Sequence, residues 1–458
     1  MKDLQELQAL HLKSTRSLVK LGACGGGGAS GPAKRAKWNV PVSDFAQLTH
    51  NPIRAIVEGL KIVPNPEKPL IALSIGDPTT FGNLKPAPQV IDAIRKVVKE
   101  GSKNGYGPSN GFPEARQAVA EYVAHQGPVS ANDVILCSGC SCALDLCISV
   151  LAGAGQNILI PKPGFSIYKT LAEGFGVECR YYDLIPERNW EVDLDQLESL
   201  IDANTATIVV TNPSNPCGSV FSREHLEAIL DIAERHFVPI IADEIYEHFV
   251  FPGQEFHSVS SLSRNVPVLS CGGLTKRFLV PGWRMGWIVI HDRNNVLQGV
   301  RKGLANLSSR ILGANTLVQG ALPEILRNTP QSFYDDLVAT LHRHAELAFK
   351  SVKRIRGLRP VMPGGAMYMM IGIDIEQFPE YETDLEFVQA LVAEQSVFCL
   401  PGACFEYPNY MRIVLTVPED MMVEACHRLA EFCEKHYKVD QGELEERQNG
   451  LLAEMDQY

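Results

Sequence analysis

The chain has 458 residues, 45% of them apolar and 21% charged, and a formal net charge of −11. That length is more than one hydrophobic core usually serves, so two domains are expected. The acidic balance argues against a nucleic-acid partner, and no apolar run reaches the roughly 20 residues needed to cross a bilayer.

Residues 1–37 open with "LQELQALHLKSTRSLVKL", a short amphipathic pattern, and continue with "GACGGGGASGPAKRAK", the composition of a flexible linker. The stretch is basic enough for a mitochondrial presequence, but Asp3 and Glu6 weigh against one, so a flexible tail on a cytoplasmic protein is expected. Residues 38–86, together with 341–437, mix helical and short strand patterns and are expected to form a small α+β domain. Residues 87–340 are expected to form a large domain, and the acidic 438–458 a solvated tail.

Inside the large domain, short apolar runs alternate with helical patterns. Candidate strands are "VILC" (134–137), "NILIP" (157–161), "ATIVVTNP" (206–213), "VPIIADEIY" (238–246), "VPVLSC" (266–271) and "MGWIVIH" (285–291). Between them lies "SREHLEAILDIAERH", with Ser222 as a cap and Leu226, Ile229, Leu230 and Ile232 on one face. Fully apolar strands, each followed by a helix, predict an α/β/α layer with a mainly parallel sheet. Ligands of such sheets bind at the carboxyl ends of the strands. Four polar loops fall there: "SGCS" after 137, "NPSNPCG" after 211, "DEIY" at 243 and "GGLTK" after 271.

Twelve cysteines lie mostly within apolar runs, which fits reduced thiols better than a disulfide framework. The cluster Cys137, Cys140 and Cys142 lacks the second ligand pair that a zinc motif requires, so no metal is expected.

The rim residues suit pyridoxal 5'-phosphate. The amine of Lys276 can hold an aldehyde as a Schiff base, and Asp243 can keep a ring nitrogen protonated. Asn215 and Tyr246 can donate to the ring oxygen. Arg284 and the turn Gly139, Cys140 and Ser141 can hold a phosphate by a guanidinium fork and helix-start N–H groups. Phe165 can stack on the ring. Taken singly, each residue could instead be a cap, a turn or core.

Together with "NPIRAIVEG", "NGYGPSNGF", "NPSNPCGSVFS", "CGGLTKRFLVPGWRMGW", "SSRILGAN" and "GAMY", these residues resemble the class I, fold-type I pyridoxal-phosphate aminotransferases from Trp38 to Tyr437, and most of all those that act on aromatic amino acids. The resemblance implies that Lys276 carries the cofactor and then serves as general base, with Asp243, Asn215, Tyr246 and Arg284 in the roles above. It implies that Tyr106 reaches the phosphate of a neighbouring subunit in a homodimer, that Arg412 grips the substrate α-carboxylate, and that Gly76 lines the substrate. Where the related aspartate enzymes place a phosphate-binding serine this chain has Gly273, so Ser270 or Thr275 is expected to substitute. The implied reaction passes the amino group of L-tyrosine to 2-oxoglutarate, and Arg310 is a candidate for the acceptor's distal carboxylate. Kynurenine or alanine transamination, or a β-lyase, would use the same scaffold. A non-catalytic cofactor-binding regulator would need a DNA-binding module, and the N-terminal tail offers no helix-turn-helix pattern.

Overall fold

The computed structural model describes residues 38, 40–60 and 63–438. The expectations for 1–37 and, Lys438 aside, for 438–458 fall outside them. In chain order the strands are β1 (Ile71–Ala72), β2 (Val134–Cys137), β3 (Asn157–Lys162), β4 (Glu178–Ile185), β5 (Glu191–Val192), β6 (Thr205–Thr211), β7 (Ile240–Asp243), β8 (Val268–Gly273), β9 (Gly286–His291), β10 (Leu358–Pro360), β11 (Tyr368–Ile373), β12 (Val397–Phe398), β13 (Leu400–Pro401) and β14 (Tyr410–Val414).

Eight of them form one sheet in the order β2-β9-β8-β7-β6-β3-β4-β5. The run β8-β7-β6-β3-β4 is parallel throughout. β9 is antiparallel to both β8 and β2. Two reversals cancel, so β2 points the same way as β8, and the carboxyl ends of β2, β6, β7 and β8 share one edge.

The two-residue strand period divides the core between the two faces of the sheet. Ile208, Val210, Ile240 and Val268 pack with Leu226, Ile229, Leu230 and Ile232 of the helix Arg223–Arg235. Their neighbours Val209, Ile241 and Leu269 face the opposite way, against Ala143, Leu144 and Cys147 of the helix Cys140–Leu151. Each such buried branched side chain contributes about 1.5–3 kcal/mol. The helix Arg223–Arg235 starts on Ser222, whose hydroxyl accepts the His225 N–H at 3.1 Å.

A second sheet, β10-β11-β14-β13, draws all its strands from residues 358–414, and the pair β1-β12 ties Ile71 to Val397. These are the two segments expected to fold together as a small unit. The helix Gln331–Val352 runs through residue 340, the expected junction of the two units. That helix keeps one continuous buried face, from Tyr334, Leu337 and Leu341 to Ala345, Ala348 and Val352.

Candidate active site

The shared carboxyl edge opens into a cavity of about 580 Å³, walled by Ser74, Gly76, Cys140, Ser141, Phe165, Thr211, Asn215, Asp243, Tyr246, Thr275, Lys276, Arg284, Tyr368 and Arg412. Ile53, Val57, Ile75, Leu144, Phe398 and Leu400 form an apolar flank, and Arg54 and Glu58 stand beside them.

Asp243 ends β7 and is 3% exposed. Its Oδ2 accepts the Tyr168 hydroxyl at 2.6 Å, and its Oδ1 lies 3.4 Å from the Ile245 N–H and 3.7 Å from Cys140 Sγ. Burial raises its carboxyl above the usual range, and the three donors, with the charge of Lys276, act against that rise. A carboxylate set at the bottom of a cavity and held by neutral donors waits for a cation.

Lys276 follows β8 and sends Nζ to the carbonyl of Gly76 at 2.6 Å, 5.9 Å from the centre of the Tyr246 ring. Tyr246 shares a 2.7 Å hydrogen bond with Tyr368, and both are buried. Burial and the charge of its partner raise the Tyr246 phenol. Burial would raise Tyr368 too, but the cations Lys276 and Arg412 outweigh it and hold that phenol below its ordinary value.

Arg412, in β14, is 4% exposed. Nη1 donates to Asn215 Oδ1 at 3.0 Å and Nη2 to the Ser74 carbonyl at 2.9 Å, while Nε is buried with no partner. The guanidinium lies 4.3 Å from the centre of the Tyr368 ring and 5.0 Å from that of Phe405. Burial lowers its pKa from the free value, yet arginine stays charged. Because Asn215 gives its oxygen to Arg412, its NH2 is the side left to donate.

The helix Cys140–Leu151 begins at the same edge. The Cys142 and Ala143 amides both reach the Gly139 carbonyl, at 3.1 and 3.3 Å, so the amides of Cys140 and Ser141 have no intrahelical acceptor. Gly139 has φ +81°, and a Cβ there would strike the Arg284 guanidinium, so only glycine lets arginine and helix start meet. Arg284 is held by carbonyls, from Nη1 to Pro281 at 3.0 Å and from Nη2 to Ser138 at 3.1 Å.

Lys276, Asp243, Asn215, Tyr246, Arg284, Arg412, Gly76, Cys140, Ser141 and Phe165 therefore gather at one cavity, with Gly139 against its edge. Three expected residues do not. Ser270 sits inside β8, opposite Ala242 and Val289, and does not line the cavity; Thr275 does, with a buried hydroxyl that has no partner. Strand alternation accounts for this, since β8 turns Ser270 inward before its loop starts. Arg310 stands after the helix Gln298–Ser308 on an exposed 3-10 turn, lines no part of its own chain's cavity, and its charge acts on Asp145. Arg54 is the arginine on the apolar flank instead. Tyr106 is 90% exposed and lines no part of its own chain's cavity. Sequence reasoning missed Tyr168, Thr211 and Ser74. Tyr168 is the last residue but one of "PGFSIYK" and could have been found only as a partner for the buried Asp243.

Residues 68–429 match the family model for aminotransferases of class I and II. The chain is 56% identical to tyrosine aminotransferase of Mus musculus over 432 residues, covering 93% of this chain and 95% of that protein. It is 45% identical to tyrosine aminotransferase of Dictyostelium discoideum, covering 88% and 98%. Among solved structures, tyrosine aminotransferase from Leishmania infantum superposes with a TM-score of 0.84 at 35% identity, covering 88% of this chain and all of that one.

Proposed function

From the premise that the chain belongs to the class I and II aminotransferases, we propose that it is a tyrosine aminotransferase that uses pyridoxal 5'-phosphate. It converts L-tyrosine and 2-oxoglutarate to 4-hydroxyphenylpyruvate and L-glutamate, the first step of tyrosine breakdown. The observation that carries this is the convergence of an amine, a buried carboxylate and a buried guanidinium on one cavity with an apolar flank: Lys276, Asp243 and Arg412 beside Leu144, Phe398 and Leu400. The identity to the mouse and Dictyostelium enzymes selects the substrate.

The residues fit the cofactor. Asp243 offers a carboxylate with no cation on it, Thr275 an unpartnered hydroxyl, and Arg284 with the Cys140 and Ser141 amides an anion cradle. Asn215 NH2 and the Tyr246 hydroxyl are donors for a ring oxygen, and Phe165 is a ring to stack. When bound, the group supplies an aldehyde and an electron-withdrawing ring.

Each side chain then has a defined task. With the cofactor in place, Lys276 Nζ would take a proton from the substrate Cα in one half-reaction and return one to Cα in the other. Asp243 would hold the ring nitrogen by its carboxylate and stabilise a positive charge there. Tyr168, as a donor to Oδ2, fixes the plane of that carboxylate. Arg412 orients the substrate α-carboxylate so that Cα faces the lysine, and its unpartnered Nε gains an acceptor in doing so. The apolar flank excludes water and receives the aromatic ring. Arg54 is placed to meet the distal carboxylate of 2-oxoglutarate.

A homodimer with Tyr106 donated across its interface is part of this reading, supported by the exposure of that aromatic side chain; light scattering should give twice the chain mass. A large unit, 87–340, and a small unit, 38–86 with 341–437, are part of the same reading. The described cysteines are all free thiols, which supports a cytoplasmic setting.

The test is a screen of amino-acid donors with 2-oxoglutarate, run on wild type and on Lys276→Ala. Tyrosine should lead the donors, and the variant should fall below about a thousandth of wild-type turnover, in line with typical general acid–base contributions. Preferred use of alanine or aspartate, or an active variant, refutes the assignment.

A further inference from the structure

Immediately after Tyr246 the chain presents Glu247 and His248, neither of which lines the cavity. They meet His125, from the turn Ala124–Gln126, more than a hundred residues earlier. His125 Nε2 is 3.6 Å from Glu247 Oε2, and the two imidazole rings are 4.8 Å apart. One ligand atom from each of the three residues falls within 4.8 Å of the other two.

The surroundings are built rather than incidental. Glu247 is 5% exposed, and Gln126 Nε2 donates to its Oε2 at 3.4 Å. Arg277, whose charge reaches Glu247 and His248, places its hydrogen bond on the Tyr122 hydroxyl at 2.6 Å. Phe256 packs edge-on against both imidazoles, at 6.4 and 5.3 Å. His248 is held at φ +60°, a conformation that a residue other than glycine keeps only where its surroundings impose it. His125, with a third of its side chain exposed, leaves a way in from solvent.

We propose that His125, Glu247 and His248 bind a divalent cation of the zinc class, with water in the fourth position. Two imidazoles and one carboxylate select zinc-like ions over magnesium or calcium, which prefer all-oxygen shells. Bonds of about 2.0–2.1 Å at tetrahedral angles bring ligand atoms to roughly 3.3 Å of one another. The bound ion clasps the turn 124–126 to the loop that carries Tyr246, outside the catalytic cavity. No sequence motif announces it, because the ligands come from two segments that meet only in the fold, and the absence of a cysteine or histidine pair in the sequence did not bear on it.

The test uses cofactor-loaded protein cleared of metal with a chelator. Zn²⁺ is titrated calorimetrically, and Co²⁺ is followed by its visible absorption. Wild type should take one ion per chain, with the intense Co²⁺ bands of a tetrahedral site and a raised Tm. His125→Gln and His248→Asn, the latter chosen because asparagine tolerates the left-handed backbone, should each weaken Zn²⁺ binding at least tenfold. Their metal-free transamination should stay at the wild-type level. No binding up to about 1 mM Zn²⁺, well above the range of structural sites, overturns the proposal. So does an affinity loss below tenfold in either variant, which would place the ion elsewhere, for instance on the half-buried Cys142.

Discussion

Substituting Arg412 by lysine keeps the charge and removes the geometry. The guanidinium is buried, holds Asn215 Oδ1 and the Ser74 carbonyl with two nitrogens, and keeps Nε in reserve. A lysine reaches this point with one nitrogen. It leaves one of the two protein acceptors without its donor and holds a substrate carboxylate at a single contact. It also gives up the flat face that lies on Tyr368 and Phe405. Hydrogen bonds to charged groups contribute about 1.5–3 kcal/mol each. Two are lost, and the ammonium's remaining attraction recovers part of that, leaving a deficit of about 3 kcal/mol, or two powers of ten at 1.4 kcal/mol per decade. Both substrates carry an α-carboxylate, so the penalty should appear in both half-reactions. Stopped-flow traces with tyrosine alone, and with 2-oxoglutarate alone on the aminated enzyme, separate the two. A loss under tenfold, or one confined to a single substrate, refutes the assignment of Arg412 to the α-carboxylate.

Thr275→Val removes the unpartnered cavity hydroxyl and should weaken cofactor retention about tenfold, the value of one hydrogen bond to an anion; Ser270→Ala, inside β8, should leave it unchanged, and equilibrium dialysis distinguishes the two. Burial, aided by the charges of Glu247 and Asp243, pushes Glu244 up to about 8. The folded chain therefore binds that proton more tightly than the unfolded one, and stability should fall as pH rises from about 4.5 toward 8 and then level off. Glu244→Gln cannot ionise, so its Tm relative to wild type should be higher at pH 8 than at pH 5 by calorimetry; a difference independent of pH refutes the reasoning.

The parallel core of the sheet was legible because its strands are buried on both faces, which writes them as unbroken apolar runs such as "TIVVT" and "VPIIA". β4 escaped notice because its residues Glu178, Arg180 and Asp183 interrupt the run, and it is half-exposed beside the two-residue β5. The reversal of β9 was equally hidden, since "MGWIVIH" reads the same in either direction. Site residues on strand ends were legible from the loop rule. Tyr168 and Ser74 were not, because each acts on a partner, Asp243 or Arg412, that is remote in sequence. Arg310 does not line its own chain's cavity, because it follows eleven residues of helix, Gln298–Ser308, whose course spacing along the sequence does not report.

The reversed strand β9 also has a mechanical meaning. β8 and β9 are the two arms of one hairpin, clamped at its mouth by the pairing of Gly273 with Gly286, and its tip carries both Lys276 and Arg284. Gly286 lies so close to Gly139 and Cys140 that a single methyl group would force them apart. The amine that reacts and the cation at the anion cradle are thus two points on one rigid jaw, pressed against the helix start by a contact with no slack. An inserted or deleted residue between 274 and 285 would move both ends of the cofactor seat at once, whereas the opposite wall rests through Ile53, Ile56 and Val57 on Leu400, Cys404 and Phe405 and would stay where it is.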